Sequence, residues 1–393
     1  MSKTWCVLAD IGLSVQNPGE TSVCNQSQAR LKHTDGNTIT LDRYTIEDAW
    51  NSPTRQEIRT ALANGEQHSN CSQCWQEEAA GRTSFRIINN QQFEKAEPLA
   101  DQPRAVFLKP GNVCNLSCRH CGPTISSRWY SDYYQVNIKS EGVAYNDWLK
   151  KFAVIRDSYN DDNQFWRTLE SWIPGMLYYD LYGAEPLLID PLYQIILAAA
   201  NSGASSTQDI HINTNGTIWH DDYYSAFSKF RSVQLEISAD GVADRFEYMR
   251  YPAKWDSVLN NLQNYKKLAD ANHNIHLGIS VTLSLYNIWD AKEIKRYFVN
   301  ELGINNVGFN ILHYPPYMDM RNAPKAAKEQ ISQHLTSTDQ QLNAIIDFLN
   351  GDITNQESNL KQFFYYTKEY DQLRNQDYSK TFPEMYNLMK DYQ

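Results

Sequence analysis

Basic residues are the first shortage in this 393-residue chain: Lys and Arg number 36 against 46 Asp and Glu, a net charge of −10. No local run of cations interrupts that balance, so nucleic acid and anionic membrane surfaces are repelled and neither is expected as a partner. No apolar run reaches the 18 or so residues that a membrane span needs. The opening MSKTWCVLADIG has neither the cationic flank, the long apolar stretch nor the cleavage site of a signal peptide. A cytoplasmic protein is expected, in which disulfides do not form and the Asn115-Leu116-Ser117 sequon carries no glycan. Internal repeats and low-complexity segments are also missing. Cysteine is scarce, with seven in all, and their positions carry the most information.

Three of them, Cys114, Cys118 and Cys121, make CNLSCRHC, a C-x3-C-x2-C loop just after the apolar run Ala105-Val106-Phe107-Leu108. Three thiolates within eight residues can hold three corners of a cubane 4Fe-4S cluster and leave the fourth iron open to a ligand that is not protein. The alternative is structural zinc, for which His120 is an available fourth ligand. The loop resembles that of the radical S-adenosylmethionine (SAM) superfamily, in which the amino and carboxylate groups of SAM chelate the open iron. On that resemblance His120 stands where the family usually has an aromatic ring.

The other four, Cys6, Cys24, Cys71 and Cys74, read as C-x12-G-x4-C followed by C-x2-C. This pattern, with the following CWQEEAAGRTSFR, resembles the twitch, or half-SPASM, module that holds an auxiliary iron-sulfur cluster in some radical SAM enzymes, although here it precedes the catalytic domain. Four thiolates would saturate a second 4Fe-4S cluster, which points to electron transfer rather than substrate binding. Zinc is again the alternative, and Cys6, beside Trp5 and Val7, also reads as a small buried residue. Three and four account for all seven cysteines, so no thiol is left to return a hydrogen atom to a substrate radical.

Two prolines in Glu97-Pro98-Leu99-Ala100-Asp101-Gln102-Pro103 mark an extended linker. The division expected is therefore 1–97 for the cysteine module, 98–320 for a catalytic domain and 321–393 for a helical extension. Strands are predicted near 104–109, 176–182, 209–213, 232–238, 275–283 and 306–312, with helices between most of them, an α/β pattern that fits a partial (β/α)6 barrel. Period-two alternation in Val233-Gln234-Leu235-Glu236-Ile237-Ser238, in Asp209-Ile210-His211-Ile212-Asn213 and in 275–282 puts apolar side chains on one face and polar ones on the other. A polar inner face suits a ligand-holding lumen.

Further segments resemble the family in chain order. Tyr182-Gly183-Ala184-Glu185-Pro186 is similar to its GGEP segment beside the methionyl amino group of SAM, with Ala184 in place of the second glycine. Asn213-Thr214-Asn215-Gly216 and Ser238-Ala239-Asp240-Gly241 resemble segments that meet the SAM ribose, which implies roles for Asn213 and Ser238. Arg250, in RFEYMRYPAKWDSVLNNL, falls where related enzymes place an arginine for the SAM carboxylate. Taken singly, these are also ordinary turn dipeptides, a strand exit and a solvated cation.

The resemblance implies reductive cleavage of SAM to a 5'-deoxyadenosyl radical that takes hydrogen from a substrate, with electrons from a flavodoxin or ferredoxin type donor. An auxiliary cluster that accepts the substrate's electron would make the reaction a net oxidation. The substrate expected is a small molecule, or a peptidyl residue if the chain is a peptide maturase; a zinc-bound scaffold is the non-catalytic reading. The aromatic-rich stretch 122–175, including Trp129, Tyr133 and Trp148, reads either as a cover for the barrel mouth or as a local helical subdomain. Asn310, His313 and Tyr314 leave the last strand as candidate substrate contacts. No ligand-like cluster is expected beyond residue 320, where Lys325 to Asn350 and Gln362 to Arg374 read as helices and Pro383 starts another.

Overall fold

The computed structural model describes residues 2–159 and 163–392. Eight strands form a mixed α/β fold: β1 (Gly12–Gln16), β2 (Glu20–Ser22), β3 (Ala105–Leu108), β4 (Tyr178–Leu181), β5 (Asp209–Thr214), β6 (Ser232–Ser238), β7 (Ile275–Leu283) and β8 (Asn306–Ile311). They lie in one sheet in the order β2-β1-β3-β4-β5-β6-β7-β8. The six strands read from the sequence are β3 to β8, a mixed α/β arrangement consistent with the expected partial barrel, with helices following the strands and a helical C-terminal part.

The chain divides into two compact units, residues 1–113, 149–213 and 220–234 in the first, and 114–148, 214–219 and 235–393 in the second. Within the first unit, β1 runs parallel to β3 with Gly12 opposite Ala105 and Val15 opposite Leu108, so the N-terminal segment supplies sheet rather than standing apart from it. β1 turns back into antiparallel β2 through Asn17-Pro18-Gly19, where Gly19 takes a φ of +92°. A five-residue and a three-residue strand carry too little alternation to stand out in the sequence.

β3 is buried at all four positions, as its unbroken apolar run requires, each larger side chain contributing about 1.5–3 kcal/mol. Parallel pairing continues through β4 to β5, which sets Ser14, Phe107, Asp180 and His211 in one row on one face. In β5 the residues Ile210 and Ile212 are buried while His211 and Asn213 are half-buried, the expected alternation.

In the second unit β7 and β8 pair in parallel, Gly278 opposite Asn306 and Leu283 opposite Ile311. The helix Trp255–Ala271 buries Val258, Leu262, Tyr265 and Leu268, a stripe at helical spacing. The stretch 325–350 is two helices, Lys325–Leu335 and Gln340–Leu349. The break is made by Asp339, whose carboxylate accepts from the N–H groups of Gln341 at 2.9 Å and Leu342 at 3.4 Å and so caps the second helix. The last long helix begins at Gln356 rather than Gln362 and ends at Arg374, and Pro383 stands in the first turn of Pro383–Met389. Among the described residues no helix is long and apolar enough to cross a membrane.

Gly12 makes the start of β1 possible, because a Cβ there would lie 2.6 Å from the Leu8 carbonyl oxygen and 2.7 Å from that of Val23. Gly12→Ala is expected to lose about 1–3 kcal/mol of unfolding free energy through forced backbone shifts; denaturant titration followed by circular dichroism checks it.

Candidate active site

The CNLSCRHC loop begins the second unit, and four of its residues, Leu116, Ser117, Cys118 and Arg119, are buried, while Cys114 and Cys121 are half-buried. Backbone bonds hold it: the N–H of Ser117 donates to the Tyr251 carbonyl at 2.7 Å and that of Arg119 to Met249 at 2.8 Å. From the other side Ser126 Oγ donates to the Leu116 carbonyl at 2.5 Å, and Trp129 Nε1 to that of Cys118 at 3.0 Å. These bonds satisfy peptide groups of the loop from Leu116 to Arg119 and so fix its backbone.

Cys118 and Cys121 lie within hydrogen-bonding reach of each other. That bond, with burial, pushes the Cys118 thiol well above its usual range, against the pull of nearby Arg250. Cys114 Sγ is approached by the Leu116 N–H at 3.5 Å and by Asn215 Nδ2 at 3.8 Å. Asn215 also donates to Asn115 Oδ1 at 2.9 Å, and Asn115 donates to Thr217 Oγ1 at 2.8 Å. The NTNG segment is therefore laced to the cysteine loop by Asn215. Asn213, the residue singled out from the sequence, is half-buried on β5 in the first unit.

Asp240 is fully buried and was missed as a site residue. Its Oδ1 accepts from the Thr282 N–H at 2.7 Å, and its Oδ2 lies 2.8 Å from Arg250 Nε and 3.5 Å from His120 Nδ1. The Arg250 contact is an ion pair whose N–H is poorly aligned for a hydrogen bond. Burial alone would lower the Arg250 pKa, but Asp240 and the thiols of Cys118 and Cys121 hold it above the ordinary arginine range. Arg250 thus stands beside the cysteines with one carboxylate already on it. Ser238 is half-buried at the end of β6.

In the first unit, Gly183 and Ala184 both take positive φ, +76° and +50°. A Cβ on Gly183 would lie 2.5 Å from the Lys109 side chain, whereas Ala184 sits in the left-handed region at a strain of order 1 kcal/mol. Glu185 is fully buried, its N–H donating to Val113 at 3.0 Å and its carboxylate capping Leu187 at 3.1 Å. On the polar face of the same unit, Asp180 and His211 form a pair at 2.8 Å that the sequence did not flag.

Cys6, Cys24, Cys71 and Cys74 line one small hollow, with Arg86 and apolar side chains such as Val23 and Phe85 around them. Cys6 precedes the helix Val7–Ile11, and Cys71 and Cys74 open the helix Ser72–Ala79, so three local turns deliver the thiols. Burial pushes the Cys6 thiol up to about 11 and that of Cys71 to about 12, and raises Cys24 and Cys74 as well. Arg86 is engaged by Glu78, at 3.0 Å and 2.6 Å, and by the Trp5 carbonyl at 2.7 Å. The hollow's lining contains no carboxylate or imidazole, and beside the amide and hydroxyl groups of Gln26, Ser27 and Asn70 its ionisable donors are the four thiols, which suits iron-sulfur clusters and zinc. With these four thiols and Cys118 all raised, metal loading at either cysteine set is accompanied by proton release. Among the described residues no group of three or more His, Cys, Asp or Glu is drawn around a single metal ion.

A cleft of about 520 Å³ opens beside the cysteine loop in the second unit. His120 and Cys121 form one side, Trp129 and Tyr133 of the aromatic stretch another, and Tyr314 the rim. A further part of the wall, Gln362, Tyr366 and Tyr370, comes from the helix Gln356–Arg374. Asn310 instead donates to Ser280 Oγ at 2.8 Å, and His313 is largely exposed with Asp319 at 3.7 Å. Arg119, fully buried, ties the same helix to the cysteine loop: its Nη2 bonds Asp371 and, at 2.8 Å, Gln376, while its guanidinium carbon lies 4.1 Å from the centre of the Tyr248 ring.

Residues 108–298 match the family model described as the Radical SAM superfamily, a span that includes the cysteine loop, Asp240 and Arg250. No curated protein matches the chain. Among solved structures, native anSMEcpe with bound AdoMet and Kp18Cys peptide aligns at 16% identity over 55% of this chain and 53% of that one, with a TM-score of 0.37. The chain therefore spans about half the length of that protein. Streptococcus suis SuiB aligns at 11% identity over 94% of this chain and 69% of its own, with a TM-score of 0.33. TYW1 with a lysine-pyruvate adduct aligns at 15% identity over 57% and 70%, with a TM-score of 0.30.

Arg119→Met is expected to destabilise the protein by about 3–5 kcal/mol, because it leaves the Asp371 carboxylate buried without its cation. Adding Asp371→Asn, which removes the unpaired charge while keeping an acceptor for the Tyr378 N–H, should recover part of that loss; a double-mutant cycle in chemical denaturation checks the coupling.

Proposed function

We propose that this chain, with its radical SAM segment at residues 108–298, is an enzyme that holds a 4Fe-4S cluster on Cys114, Cys118 and Cys121 and uses SAM as co-substrate. The observation that carries the proposal is the loop itself: three cysteines at C-x3-C-x2-C spacing on a backbone that is tied down between them, inside the segment that the family model matches. Such a cluster with SAM on its open iron supplies reductive cleavage to a 5'-deoxyadenosyl radical, which removes a hydrogen atom from substrate.

The chain's own residues supply orientation. Gly183 and Ala184 bring backbone close to the methionyl end, as their positive φ values allow, and Glu185 fixes that turn by capping Leu187. Asn213 and Ser238 are the ribose contacts in this reading. Arg250, already balanced by Asp240, offers its remaining N–H groups to the SAM carboxylate and tempers the negative charge of the thiolates. His120, held near Asp240, stands in this reading where the family usually has an aromatic ring.

Cys6, Cys24, Cys71 and Cys74 hold a second 4Fe-4S cluster in this proposal, in a twitch-like setting. With four thiolates it has no open iron, so it serves as electron acceptor and the net reaction is an oxidation. A flavodoxin or ferredoxin type protein is the electron donor, and the substrate is a small molecule or, in the second version, a peptidyl residue. Zinc on both cysteine sets is the competing outcome.

The test is anaerobic reconstitution followed by SAM and a strong reductant. The protein should turn brown, carry about eight irons per chain and release 5'-deoxyadenosine, and Cys118→Ala should abolish that release. A colourless protein with about two zinc ions and no 5'-deoxyadenosine would overturn the assignment.

A further inference from the structure

The cleft beside Cys121 has an unusual wall for a water-facing hollow, and its chemistry limits its occupant. Tyr317 and Tyr366 stack at 4.9 Å with 27° between their planes, and Tyr366 stacks again on Tyr370 at 6.2 Å and 20°. Trp129 meets Tyr370 edge-on at 5.0 Å. The hydroxyl of Tyr133 lies near those of Tyr366 and Tyr314, and burial together with these neighbours holds it above its usual range. The amide of Asn137 donates to Tyr370 at 3.0 Å, which fixes that ring in place.

Charge is nearly absent from this wall. None of its lining residues is Asp, Glu or Lys, and its one arginine, Arg119, is buried against Asp371 and the Tyr248 ring. A cationic ligand would find no carboxylate on this wall, and an anionic one would meet only Arg119 and His120, already shared with Asp371 and Asp240, so an ion is desolvated here at a cost that a neutral ring avoids. An aliphatic ligand would fill the volume but leave the ring faces and phenols without their preferred contacts. At the rim Tyr314 is 79% exposed, an aromatic side chain with its faces uncovered.

Building on the proposed radical chemistry, we propose that this cleft is the substrate subsite and that it takes a neutral aromatic ring, stacked against Tyr366 and covered by Tyr314. Gln362, exposed on the same helix, offers an amide to the polar atoms that flank the ring. The ring-binding wall thus belongs largely to the helix Gln356–Arg374, which Arg119 holds against the cysteine loop.

Saturation-transfer NMR on the reconstituted protein tests this with blocked amino acids as probes. N-acetyl-L-phenylalaninamide and N-acetyl-L-tyrosinamide should give strong ring transfer, at least tenfold above N-acetyl-L-leucinamide, and N-acetyl-L-aspartic acid amide should give none. Tyr366→Ala should remove the ring signal at least tenfold and Tyr366→Phe should retain it, with unfolding midpoints confirming that both variants fold. Leu373→Ala, at an exposed position of the same helix, should bind as the native protein does. Equal transfer to the leucine probe, an unaffected Tyr366→Ala variant, or displacement of the ring by SAM, which would make the cleft the nucleoside's own seat, each overturns the proposal. Iron content and 5'-deoxyadenosine release of the same sample report separately on the radical chemistry, so ring selectivity can fail while that reading stands.

Discussion

A guanidinium with no exposure to water joins the cysteine loop to the end of the chain. Arg119 sits between Cys118 and His120, so its side chain cannot leave the interior without pulling the thiols with it. Its partner Asp371 also accepts from Tyr248 at 2.8 Å and from the Tyr378 N–H at 2.7 Å, so one carboxylate gathers three segments. A second buried arginine, Arg374, repeats the device one turn along, pairing with Asp132 at 2.9 Å and lying 4.5 Å from the Trp129 ring. Charges this deep are tolerated only when paired, and the pairing makes the shape of the loop depend on residues some 250 positions away.

The site's second constraint is Asp240, which serves Thr282, Arg250 and His120 together. Because this carboxylate is buried, any anion offered to Arg250 competes with it rather than meeting a bare cation. In the proposed function that competition suits selective binding of the zwitterionic amino-acid end of SAM. The four N-terminal cysteines face a different balance, since Arg86 in their hollow is fully occupied by Glu78 and the Trp5 carbonyl. In the proposed function this difference separates a centre with a place for a ligand from one that only passes electrons.

The six strands β3 to β8 were legible because each alternates or runs apolar over four residues or more, and the cysteine loop because thiols at that spacing have few uses. β1 and β2 were not, since Gly12 to Ser22 is short and interrupted by Asn17-Pro18-Gly19. The role of the helix Gln356–Arg374 was missed for another reason. Phe363, Thr367, Tyr370 and Arg374 read as one buried stripe, and nothing in the spacing tells that Gln362 and Tyr366, beside that stripe, line a cleft. Likewise Asn213 and Asn215 are two residues apart, and only the folded turn shows that Asn215 reaches Asn115 and Cys114.

The account rests on a vacant iron coordination position at the three-cysteine site. Electron paramagnetic resonance of the anaerobically reduced protein, in a variant lacking Cys6, Cys24, Cys71 and Cys74 so that only one centre remains, examines it directly. Titration with SAM should change the g values of the remaining cluster signal in a saturable way. A signal indifferent to SAM, or a reduced protein with no cluster signal, would contradict the account.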